Sequence, residues 1–449
     1  MQRASGRQNV KVSLRSRVTC PHCWAGFGPE DALWVAEHPD LQHDPRLDAA
    51  GLRFLPTRFD VDGNAIDPMG SVCKELACPK CHLRVPRPLF EIPPLFLSIA
   101  GTPSCGKTYF LASMCWRLRN TLPRHFSMAF TDADPVSNLP LHEYENQQFF
   151  NSNPDEIVKL LKTDPKSGDL YNMVMYGEQQ VTYPRPFLFA IRPSEKHPNY
   201  RDASRISRLL CLYDNAGESF APGMDTSSAP VTQHLAQAQV LLYCFDPTQD
   251  PRLRAECRAR TSDPQVVAGL ETRRQEAVLH EIVDRVRRHA GLNQNQKHSR
   301  PLIVVVTKYD VWWPLLGEER LPDPWVKSAN AELFALDMEL INATSNRVRE
   351  MLWRFSPELV SAAESFTDHV LYVPVSATGC APESVVENGV TTLVGIRPRD
   401  INPMWTEIPL LVAMARWGGG MIPYRDKSTA GPRAAANGIS GDATTAVKP

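Results

Sequence analysis

The sequence predicts an α/β fold: a mainly parallel sheet between helices, in three layers, with a small cysteine-bearing module ahead of it. Six apolar runs, at 95–100, 187–191, 207–213, 239–245, 302–306 and 369–375, alternate with segments of helical pattern, as buried parallel strands and their crossovers do. Four of those runs lead directly into short motifs rich in Gly, Asp, Ser, Thr or Lys, at the strand ends where open α/β sheets bind ligands. Two C-x-x-C units precede the first run.

Composition sets the outer limits. The 449 residues, 43% of them apolar, allow one large or two ordinary domains with a full core, and a formal charge of −1 carries no polyanion signature, so nucleic acid is not indicated. No run of about eighteen uncharged apolar residues occurs, and Met1-Gln-Arg-Ala-Ser-Gly-Arg7 has no signal-peptide apolar region. These features predict no membrane span and a cytoplasmic location.

Residues 1–90 read as a zinc-ribbon-like module. Cys20-Pro-His-Cys23 and Cys78-Pro-Lys-Cys81 can bring four thiolates tetrahedrally onto Zn²⁺, a closed site that contributes folding energy to a small domain. A redox dithiol pair is the weaker alternative, because no thioredoxin-like context surrounds either unit. Catalytic zinc is weaker still, since four thiolates leave no open position. His22, His82 and Cys73 are spare ligands, and the long gap from Cys23 to Cys78 predicts a polar, turn-rich insertion. Pro86-Arg-Pro88 and Pro93-Pro94 mark the exit into the first strand.

The run Leu95–Ala100 enters Gly101-Thr-Pro-Ser104-Cys105-Gly106-Lys107-Thr108, and a helical pattern follows over 109–118. Strand, glycine-rich loop and helix N-terminus gather backbone N–H groups and a positive dipole end around one point, which favours phosphate. Lys107 would reach the β- and γ-phosphates and the Thr108 hydroxyl would bind Mg²⁺. Cys105, inside the loop, is either a redox brake with a lowered pKa or, the favoured reading, a small inert residue. Asp214-Asn-Ala-Gly217 ends the run at 207–213; Asp214 would hold the Mg²⁺ shell, and Gly217 would let its N–H approach a γ-phosphate. Thr307-Lys308-Tyr-Asp310 ends the run at 302–306. Asp310 could accept from guanine N1–H and the exocyclic amine, and Lys308 would lie over the base. Ser376-Ala377-Thr378-Gly379 follows the last run.

In that order the motifs resemble Ras-like, translation-factor-related GTPases of the P-loop NTPase class. The resemblance implies a GTP/GDP site with Mg²⁺, lined by Gly101, Ser104, Cys105, Gly106, Lys107, Thr108, Thr307, Lys308, Asp310, Ser376 and Ala377, with the Ala377 N–H on the guanine oxygen. It implies catalysis by Lys107, Thr108, Asp214, Gly217 and Glu218. Two departures stand out: Thr307 replaces the commoner Asn, and Glu218 replaces the Gln that orients the attacking water. Glu accepts from water but donates no amide hydrogen bond, so slow or partner-activated hydrolysis is expected. A zinc module ahead of a large GTPase domain is also similar to bacterial double-GTPase-type proteins of multi-component signalling or conflict systems. That likeness implies protein partners: an activator, an effector or a second GTPase. The rival expectation is a nucleotide-stabilised scaffold that binds GTP with little turnover and recruits protein or nucleic acid through its zinc module; an ATPase motor or kinase would leave Asp310 with no base to select.

The nucleotide domain is expected over 91–418, with insertions near 135–182 and 252–290. The first should hold a polar helix at Asp155–Leu161, with Thr182 or Thr131 as the switch-I threonine. The second carries nine arginines among six acids, read as a solvated helix face rather than a docking surface or arginine donor. One long helix is expected over 327–354 and a last one over Glu407–Trp417, with Pro409 tolerated in its first turn. The tail, 419–449, reads as disordered.

Overall fold

The computed structural model describes residues 14–48, 50–159, 171–214, 230–267, 272–293, 295–327, 333–387 and 390–426. Its central sheet has seven strands: β1 (Pro94–Gly101), β2 (Met128–Asp132), β3 (Phe187–Pro193), β4 (Arg208–Asp214), β5 (Val240–Phe245), β6 (Leu302–Val306) and β7 (Val370–Pro374). They lie in the order β2-β3-β4-β1-β5-β6-β7. The five strands from β4 to β7 pair in parallel, while β3 runs antiparallel to both β2 and β4. All six apolar runs are strands of this sheet. The edge strand β2, where buried and accessible positions alternate over five residues, carries too short a pattern to stand out in the sequence.

Six longer helices complete the layers: α1 (Lys107–Phe126), α2 (Leu139–Phe149), α3 (Gln275–Ala290), α4 (Met338–Phe355), α5 (Pro357–Phe366) and α6 (Ile408–Trp417). On one face, Phe110, Met114 and Leu118 of α1 and Leu411 of α6 pack on Leu97, Ile99, Leu242 and Ile303. On the other face, α3 and α5 cover β5, β6 and β7 through Leu279, Ile282, Leu359 and Phe366. The β3 and β4 half of that face is covered differently. There the cysteine-bearing region lays Phe27, Leu83, Leu89 and Phe90 against Phe96, Leu188, Leu209, Cys211 and Tyr213.

Three expectations differ from the structure. Asp155–Lys159 is not helical: Asn151 and Asn153 side chains accept from the backbone N–H groups of Asn153 and Asp155, local bonds that compete with helix formation, and Val158 bridges to Ile396. Residues 160 and 161 lie outside the described residues. The insertion instead holds α2 and a hairpin, Tyr171–Tyr176 with Gln179–Pro184. The single helix expected over 327–354 starts later, because Trp325–Lys327 and Phe334–Asp337 are strands and Asp337 caps the Leu340 N–H to start α4 at Met338. Past Gly418, Met421 and Ile422 are buried and Tyr424–Arg425 pairs with Phe334–Asp337; the rest of the tail, from residue 427, lies outside the described residues.

Candidate functional site

β1 ends at Gly101, whose φ is +153°; a Cβ there would lie 2.5 Å from the Cys244 carbonyl oxygen. Only glycine lets the loop leave β1 this close to β5. The loop then turns through Ser104 and Gly106 at φ +62° and +90°, and Gly106 caps α1. Lys107, the first residue of α1, folds back so that Nζ donates to the Gly101 and Thr102 carbonyls at 3.0 and 2.9 Å. Thr108 follows on the same opening turn. Cys105 and Cys244 are both buried. Burial opposes ionisation of the Cys105 thiol, but the hydrogen bond with Cys244 and the charge of Lys107 hold it below the ordinary thiol value.

The loop is braced from behind. Thr307 Oγ1 donates to the Cys105 carbonyl at 2.9 Å. Gln249 donates to the Pro103 carbonyl at 3.1 Å and accepts from Thr102 Oγ1 at 3.0 Å. Gln275, at the start of α3, accepts from the Asp246 N–H at 2.9 Å and returns a bond to its carbonyl at 2.8 Å. These buried groups rigidify the loop, since each satisfies another's hydrogen-bonding capacity.

Three more strand ends share this edge. Asp214, buried, closes β4 opposite Ile99, two residues before Gly101. Gly217 and Glu218 lie outside the described residues. Beyond β6, Lys308 adopts φ +57°; its Nζ pairs with the buried Asp246 carboxylate at 2.7 Å and donates to Thr248 Oγ1 at 3.1 Å. Asp310 accepts from Ser376 Oγ on one oxygen at 2.5 Å and from Gln265 Nε2 on the other at 3.0 Å. Burial pushes its carboxyl up to about 6, with Asp263 adding to the rise and the two hydrogen bonds opposing it. The Ala377 carbonyl accepts from Ser113 of α1 at 2.6 Å, which ties the last loop to the helix behind Lys107. Thr131 lies within β2, bonded to the Ala190 carbonyl, and Thr182 lies within the hairpin opposite Met173.

A second centre lies in the cysteine-bearing region, whose first knuckle bonds Tyr213 beside Asp214 through the Pro21 carbonyl. Cys20, Cys23, Cys78 and Cys81 are buried, with all four sulfurs within 4.8 Å of one another. The Cys20 to Cys81 and Cys23 to Cys78 separations are 3.8 and 3.7 Å, close to the roughly 3.8 Å between sulfurs tetrahedrally bound to zinc at about 2.3 Å. The two knuckles repeat one backbone design. In each, the first Cys N–H bonds the carbonyl five residues on, its own carbonyl accepts from the N–H four residues on, and the residue after the second Cys, Trp24 or His82, has positive φ. The spare ligands are engaged elsewhere: His22 bonds the Arg84 carbonyl, His82 pairs with Asp44, and Cys73 faces Asp67. The cluster could hold zinc.

Sequence reasoning missed Thr102, Asp246, Gln249, Gln265 and Gln275. Asp246 had a signal, since it directly follows the run at 239–245; the glutamines had none. Two of them, Gln265 and Gln275, belong to the arginine-rich stretch. Some arginines there bond within the chain, Arg252 to Glu358, Arg285 to Glu281 and Arg287 to the Ser365 carbonyl, while the side chains of Arg274 and Arg288 are exposed.

Neither a protein-family model nor a curated protein matches this sequence. Among solved structures, the chain is similar to the S. cerevisiae Ski7 GTPase-like domain bound to GTP, at 14% identity and a TM-score of 0.28 over 67% of this chain and 48% of that one. It is similar to sup35 complexed with GDP at 14% identity and a TM-score of 0.23, covering 64% and 38% of the two chains. Aquifex aeolicus Era bound to GDP.AlF4- matches at 13% identity and a TM-score of 0.21, covering 64% and 52%. The chain thus spans between 38% and 52% of the length of these proteins, and likenesses this slight leave its own residues to carry the chemistry of the site.

Proposed function

We propose that this chain binds a guanine nucleotide at the Gly101–Thr108 loop and the loops after β4, β6 and β7, and hydrolyses GTP as a molecular switch. The observation that carries the reading is one sheet edge that gathers a lysine-bearing glycine loop, a strand-end carboxylate and a carboxylate with both oxygens oriented by donors. In this reading Lys107 leaves the Gly101 and Thr102 carbonyls for the phosphates. Asp310 accepts from the guanine N–H edge, Lys308 flanks the base, and Ala377 offers its N–H to the guanine oxygen. Asp214 and the Thr108 hydroxyl are hard oxygen donors suited to Mg²⁺, which would offset charge on the β- and γ-phosphates. Gly217 would sense the γ-phosphate and Glu218 would face the attacking water. Zinc in the four-cysteine cluster would be structural, and protein partners would read the switch in the cytoplasm.

The test is binding of GTP, GDP and ATP together with Mg²⁺-dependent turnover. Guanine preference, lost in Asp310→Asn, and turnover, lost in Lys107→Ala, are expected; ATP preference would overturn the base assignment. The lack of an amide donor in Glu218 favours one second reading, a scaffold that binds GTP tightly and turns it over little, which the same turnover measurement separates.

A further inference from the structure

We propose that Gln265 is a positioning residue for guanine: its amide fixes the orientation of the Asp310 carboxylate toward the paired N–H groups of the base. The inference rests on the guanine reading above and adds a residue from the arginine-rich stretch to it. Asp310 is held from two separate elements, Ser376 Oγ on one oxygen at 2.5 Å and Gln265 Nε2 on the other at 3.0 Å. Each carboxylate oxygen has about two acceptor positions, so one per oxygen stays available to a planar pair of donors. With only Ser376 in place, the carboxylate could rotate about its last bond and lose that match.

Gln265 is mounted to do this. It is 7% exposed and its neighbour Val266 is fully buried in the core. It sits in the Pro264–Val267 turn of helix, where its own N–H is fixed by Asp263 Oδ1 at 2.8 Å and Arg258 donates to the Val266 carbonyl at 2.6 Å. The charged and titratable groups near Asp310 are Asp263 before the short helix, whose charge Lys308 in Asp310's own loop favours, and Cys380 after β7, which feels the charges of Asp310 and Asp400. Asp263 disfavours a charged Asp310, whereas the Gln265 amide favours it. Losing the amide therefore removes both the alignment and part of the support for the ionised acceptor.

The experiment compares wild type, Gln265→Leu and Gln265→Glu in GDP, IDP and ADP binding from pH 5 to 8, with Tm measured on the nucleotide-free proteins over the same range. IDP lacks the exocyclic amine, so the GDP to IDP ratio reports alignment. Gln265→Leu should weaken GDP about tenfold, the effect of one hydrogen bond to a charged group, narrow the GDP to IDP ratio and raise the pH below which GDP binding fails. Gln265→Glu should do so more strongly. Unchanged GDP affinity, ratio and pH midpoint would overturn the inference, and tighter GDP binding by Gln265→Leu would overturn it in favour of an amide that competes with the base. If wild type shows no preference for GDP over ADP, the guanine reading fails. The anchoring of Asp310 is then read from Tm: the pH dependence removed by Asp310→Asn should move to higher pH in Gln265→Leu, and an unmoved profile would overturn the anchoring too.

Discussion

One face of the sheet is covered by two unlike halves. Over β5, β6 and β7 lie α3 and α5, helices of sixteen and ten residues whose apolar stripes close the core. Over β3 and β4 lies a region whose strands run to two or three residues each. Elements that short cannot persist by their own hydrogen bonds. The helical half can hold itself by burial, while the other half has a four-sulfur cluster that could be joined by zinc. Both halves reach the same edge that carries the candidate site, through β5 and β6 on one side and through β4 with Asp214 on the other.

The largest effect should come from breaking the sulfur cluster. Cys78→Ser, or chelation of bound zinc, should cost at least roughly 3 kcal/mol, given the apparent 10–16 kcal/mol of structural zinc binding. Denaturant unfolding with metal analysis checks this; equal midpoints with and without metal would erase the contrast between the halves. Next, Ile282→Ala in α3 should cost about 2–4 kcal/mol through the cavity it leaves, with zinc content unchanged. Loss of zinc in that variant would show that the halves are not separable. The two sides can also be separated by pH. Asp310 is raised from 3.8 to about 6, so its charged form is the disfavoured one: its penalty on folding is absent below pH 3.8 and complete above 6. The proposed guanine contact needs the ionised acceptor, so affinity should be constant above about pH 6 and fall about tenfold per unit below it, as titration calorimetry would measure. The smallest effect should be Tyr213→Phe, which removes the O–H donated to the Pro21 carbonyl at 2.6 Å and the acceptor of Trp24 Nε1 at 3.3 Å. About 1 kcal/mol is expected, and no change in unfolding would mean the cysteine region and β4 adhere by apolar contact alone.

Much of the fold was legible because each run is predominantly apolar and four lead into short polar or glycine-bearing motifs. The sulfur cluster was legible for a similar reason, two identical spacings. What escaped is long-range or polar. Gln265 meets Asp310 across 45 residues and reads in sequence as one more polar residue among arginines. The docking of the cysteine region on β4 joins residues 192 apart, and local pattern carries no trace of it. The helix expected at Asp155–Leu161 failed because asparagine side chains near it bond the backbone first. The chain past Gly418 looked featureless because two buried residues, Met421 and Ile422, are set among glycines.

The separation between Pro21 and Tyr213 also sets an order of events during synthesis. All four thiols lie before residue 82, whereas β4 ends at residue 214. At about 5–20 residues per second, the knuckles leave the ribosome on the order of ten seconds before the strand they rest on. During that interval Phe27, Leu83 and Phe90, buried in the finished protein, have no sheet to cover them. Any metal the four thiols take up on the nascent chain is therefore bound before the β4 end of the sheet edge exists.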